Sequence, residues 1–183
     1  MFTLTAERLQ EEAAKRAGLR ADHLSPEVAT AVRLFLEEVE ERGGLTLGGR
    51  RLLQSEMLRT MEQSMRCSTL RGLWSQEPLV VVITGWPRTG STLLHYLLAD
   101  CGLFSWLPMW KSLYPDAIAG APSSQLRAVS RAAGYLKLVD VLSPRLRALH
   151  PMGELDPEAC ITLLQLAGLS VRLAIPLQVP GNK

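Results

Sequence analysis

The apolar run Leu79, Val80, Val81, Val82 and Ile83 constrains this chain more than any other stretch of it. It is mostly β-branched, too short for a helix, and bounded by Pro78 and Gly85, so it predicts a strand buried on both faces as in a parallel sheet. Gly85, Trp86, Pro87, Arg88, Thr89 and Gly90 follow as a turn, and the residues from Ser91 to about Asp100 then open a helix. Strand, glycine-bounded turn and helix together begin a βαβ unit. The expected fold class is α/β, a P-loop-like parallel sheet flanked by helices. The only further strand candidate is a short one at 102–106, so the expected sheet is incomplete.

What precedes the run is helical. Thr5 opens a pattern with Leu9, Ala13 and Ala17 every four residues until Gly18. Ser25 is an N-cap, Pro26 suits the first helical position, and Val28, Val32, Phe35, Leu36 and Val39 make one apolar stripe that ends at Gly43 and Gly44. A third helix is expected over 49–66, with Leu52, Leu53, Met57, Leu58 and Met61 inward. Beyond the loop, 124–141 reads as helix and 144–149 as a basic turn. Asp156, Pro157 and Glu158 read as the capped start of a helix running through Leu166. Two regions are expected: a helical layer over 1–77 and the sheet-bearing domain over 78–183.

The loop after the run carries the chemistry. A strand-to-helix turn aims free backbone N–H groups and the positive end of the helix dipole at one small volume, which favours an anion. Arg88 adds a guanidinium, and Thr89, Ser91 and Thr92 add hydroxyl donors. Gly85 and Gly90 have the spacing of a nucleoside triphosphatase loop, yet Ser91 stands where that loop has its lysine, which weakens a nucleotide-hydrolysing alternative.

At Gly85, Pro87, Arg88, Thr89, Gly90, Ser91, Thr92, Leu93, Leu94 and His95 the chain resembles the sulfotransferase family, in particular its broad, largely bacterial branch. His150, Pro151 and Met152, followed by Asp156, Pro157, Glu158 and Cys160, resemble a second motif of that branch; Ala159 departs from it, since a glutamate is usual there. The resemblance implies transfer of a sulfuryl group from 3′-phosphoadenosine 5′-phosphosulfate to a hydroxyl or amine of a small-molecule or lipid-like acceptor. Gly85, Arg88, Thr89, Gly90, Ser91 and Thr92 would hold the donor's 5′-phosphosulfate, and no metal is required. Many relatives carry a glutamate after a tryptophan where this chain has Lys111 after Trp110. Lysine cannot be that base without a large downward pKa shift, so either His150, with an unperturbed pKa suited to the task, is the general base or the acceptor chemistry is impaired. The family's second donor-binding element, for the 3′-phosphate, has no counterpart before Lys183, so this length of chain is expected to be a fragment with half of its donor site. The alternatives are a P-loop nucleotide-binding protein and a non-catalytic helical interaction module.

Charge bounds the partners. Twenty Lys and Arg against eighteen Asp and Glu are too balanced for a nucleic-acid binder held by bulk electrostatics. Between Trp86 and His150, however, Arg88, Lys111, Arg127, Arg131, Lys137, Arg145 and Arg147 meet only Asp100, Asp116 and Asp140. Outside Arg88, solvated helix faces are the plainer account of that excess. Cys67, Cys101 and Cys160 form no paired motif and read as buried free thiols. With no apolar signal core and no stretch near the ~20 residues of a membrane span, a cytoplasmic location is expected.

Overall fold

The computed structural model describes residues 5–43, 45–70, 79–86, 89–145, 152–158 and 161–167. Helices α1 (Ala6–Ala17), α2 (Pro26–Arg42) and α3 (Leu47–Ser68) begin where side-chain oxygens replace missing intrahelical acceptors. Thr5 accepts the Arg8 N–H at 3.4 Å, Ser25 that of Val28 at 3.4 Å, and Thr46 that of Gly49 at 3.1 Å. α1 stops at Gly18, whose φ of 69° is the left-handed conformation glycine adopts without a Cβ penalty. Leu9, Ala13, Val28, Val32 and Leu36 then meet Met57, Leu58, Met61 and Met65 in one core. Met57, Met61 and Met65 repeat every four residues along α3 and are fully buried. Each such side chain contributes about 1.5–3 kcal/mol by leaving water. Leu52, expected inward, is exposed. α7 (Ile161–Leu166) closes against α3, where the side-chain amide of Gln165 donates to the Thr60 hydroxyl oxygen at 2.7 Å.

The chain divides into two compact units: Met1–Arg71 with Ile161–Lys183, and Gly72–Cys160. In the second, α5 (Met109–Leu113) and a 3₁₀ turn over Pro115–Ala119 pack on α6 (Pro122–Leu142). Ala128 and Ala132 present small side chains on α6, and Met109, Trp110, Leu113 and Tyr114 cluster with them and with Leu136 and Met152. Arg131 stacks over the Tyr114 ring at 4.3 Å. α4 (Ser91–Asp100) has the bounds its sequence suggests.

The expected α/β architecture is overturned. Among the described residues there is no strand and no parallel sheet, and the sole β-type pairing is an isolated bridge between Pro108 and Pro157. Leu79, Val80, Val81 and Val82 are exposed, Leu79 to 94 %. Composition marks what a residue gains by burial; it does not supply the neighbouring strands that a buried strand needs on both sides. The candidate neighbour at 102–106 is bent and exposed instead. Asp156, Pro157 and Glu158 do not start a helix either. They lie in a turn and bridge, where the Glu158 N–H donates to the Leu107 carbonyl at 3.1 Å. Cys101, expected buried, is exposed.

Candidate anion-binding loop

The loop is built from the start of α4 outward. Gly90, at φ 86° and ψ 10°, turns the chain into the helix, and its carbonyl accepts the Leu94 N–H at 3.0 Å. No side chain caps this end. The first N–H groups of α4 therefore face outward with the positive end of the helix dipole, and Ser91 and Thr92 stand in its first turn, half-buried and exposed respectively. The Thr89 hydroxyl donates to the Trp86 carbonyl at 2.7 Å and closes the turn. A Cβ on Gly85 would come within 2.9 Å of that hydroxyl oxygen, so Gly85 is the residue that leaves room for the closure. Gly85, Thr89, Gly90, Ser91 and Thr92 are thus gathered at one helix end. Arg88 lies outside the described residues, as do Pro87 and His150.

The motif around Asp156 docks on α5. The Met109 N–H donates to the Asp156 carbonyl and the Trp110 N–H to the Glu154 carbonyl, each at 3.1 Å. A Cβ on Gly153 would lie 2.6 Å from an Asp156 carboxylate oxygen, so only glycine lets the Asp156 side chain fold back there. The same carboxylate lies close enough to Tyr96, on α4, to act on its phenol. Burial, then Asp156, then the charge of Glu158 raise the Tyr96 phenol above its ordinary value. Glu158 is itself buried. This Tyr96, Asp156 and Glu158 cluster had no signature in the sequence, because Tyr96 sits in an ordinary helical run 60 residues from its partner, as 156 less 96. Lys111 holds its ammonium 5.6 Å from the centre of the Trp110 ring, a cation–π contact.

No family model, no curated protein and no solved structure matches this chain. No helix among the described residues is long and apolar enough to cross a membrane.

Proposed function

We propose that the chain carries the donor-binding loop of a sulfotransferase, taking 3′-phosphoadenosine 5′-phosphosulfate at the N-terminus of α4. One observation carries the proposal: the described residues of the family resemblance, Gly85, Thr89, Gly90 and Ser91 to His95, lie at the turn and the uncapped start of that helix. The outward N–H groups of α4, with Ser91 and Thr92, bind the phosphosulfate oxygens. Arg88 balances charge growing on the bridging oxygen. The acceptor oxygen or nitrogen bonds to sulfur as the sulfur–oxygen bond to the phosphate breaks, which releases 3′-phosphoadenosine 5′-phosphate, and His150 takes the acceptor's proton. The buried strand expected to position this loop is absent among the described residues, so the reading rests on the turn that Thr89 and Gly90 close and on the helix end alone. A cytoplasmic setting accompanies it, in keeping with the exposed free thiol of Cys101.

Thermal denaturation with 3′-phosphoadenosine 5′-phosphate, with ATP and Mg²⁺, and without ligand tests the proposal. A rise in Tm with the bisphosphate that ATP does not match is expected. No rise, or a larger one with ATP, removes the sulfate donor from the loop.

A further inference from the structure

Much of the basic excess of the middle segment lies on α6. Ala128, Ala132 and Leu136 form its inner, buried stripe. Its outer face carries Arg127, Arg131 and Lys137, and Arg145 follows in the turn after the helix; all four are exposed. No exposed position of α6 is acidic, and Asp140, half-buried, already has a partner. Interleaved with the bases are Leu126 at 71 %, Val141 at 77 %, and the exposed Leu138 and Leu142. At 100° per residue, Leu126, Lys137, Val141, Arg127, Leu138 and Arg131 follow one another round this face, so charge and hydrocarbon alternate across it.

We propose that the outer face of α6 docks on an anionic lipid surface. Its charge is complementary to such a surface, and basic residues near one are each attracted to it. The leucines and the valine choose lipid over nucleic acid, because an apolar side chain gains nothing against a phosphate backbone but leaves water when it enters the boundary between headgroups and acyl chains. Arg127 and Lys137 lay their hydrocarbon stems beside those residues and keep their charges at headgroup level. A single convex helix suits a fluid surface, which needs no shape-matched groove. Neither the loop nor a sulfate donor enters into this.

Vesicle co-sedimentation of the full chain tests it. Binding is expected to phosphatidylserine-containing vesicles and not to pure phosphatidylcholine, and it should weaken as salt rises. Each basic charge contributes roughly fivefold, so Arg127→Glu with Lys137→Glu should weaken binding by on the order of a hundredfold or more. Leu126→Ser with Val141→Ser should also weaken it. Both pairs lie on the exposed face, and an unchanged far-ultraviolet circular dichroism spectrum verifies that the fold survives. Equal binding to neutral vesicles, no binding to anionic ones, or wild-type binding by the charge-reversed variant overturns the proposal. Wild-type binding by the serine variant overturns the lipid assignment in favour of an anionic macromolecule.

Discussion

Gln165 and Thr60, 105 residues apart in sequence, meet in a 2.7 Å side-chain hydrogen bond with both residues buried. This contact ties the short α7 to the middle of α3. Thr60→Val keeps the volume but removes the acceptor, leaving the Gln165 amide buried without it. A loss of about 1–3 kcal/mol in denaturant unfolding is expected. Gln165→Leu added to Thr60→Val should recover part of that loss, and strictly additive effects would show that the two side chains are not coupled.

At Gly90 the backbone is in the left-handed region and a Cβ would meet nothing within 4 Å, so substitution there meets strain without a clash. Gly90→Ala is expected to cost about 1–2 kcal/mol and to lower Tm. Gly85→Ala acts differently, because its Cβ meets the Thr89 hydroxyl oxygen at 2.9 Å and disturbs the bond to Trp86. An unchanged Tm for Gly90→Ala would mean that the turn relaxes to another conformation.

Removing Arg88 should weaken the nucleotide without unfolding the chain. Calorimetric titration of Arg88→Ala with the sulfate donor is expected to show a loss of about 1.5–3 kcal/mol, the range for a hydrogen bond to a charged group. Equal affinity in both proteins would take Arg88 out of the site.

Tyr96 makes alkaline stability a local measurement. Its folded pKa is raised, whereas in the unfolded chain the phenol titrates near ~10. Its contribution is therefore fully present below pH ~10 and is lost as pH rises through the higher folded value. The difference in unfolding free energy between wild type and Tyr96→Phe should be flat near neutrality and shrink in alkali. A difference that stays constant across the alkaline range would show that the Asp156 contact does not hold in solution.

The tryptophans differ sharply in access to solvent, with Trp86 84 % exposed and Trp110 7 %. Acrylamide quenching should find a readily quenched component that Trp86→Phe diminishes, leaving the contribution of Trp106, 43 % exposed. If quenching is unaltered, Trp86 is covered in solution.

The helices whose signals are local were legible in the sequence. Thr5, Ser25 and Gly18 sit within a few residues of the backbone groups they serve, and Val28, Val32, Leu36 and Val39 carry their period in themselves. Leu79, Val80, Val81 and Val82 were misleading because a strand is completed by other strands, and the run holds no information about whether they are there. Asp156 misled for the opposite reason: its sequence has every mark of a helix cap, but its carboxylate folds back over Gly153 and acts on Tyr96, far away in the chain. At the candidate loop, the spacing of Gly85 and Gly90 announced the turn. The Thr89 hydroxyl that closes it was read only as an anion donor, because a side chain's bond to a carbonyl three residues back leaves no pattern of its own.

The seam of Met57, Met61 and Met65 on α3 bears on how this chain can change over generations. A thioether on three rotatable bonds moulds itself to its neighbours, so exchanges such as Met61→Leu leave volume nearly unchanged and usually cost less than ~1.5 kcal/mol. Substitutions in α1 or α2 that would jam a core of branched side chains can be absorbed by rearranging the methionines. The helical unit is thereby free to drift in residue identity while its pattern of inward and outward positions persists.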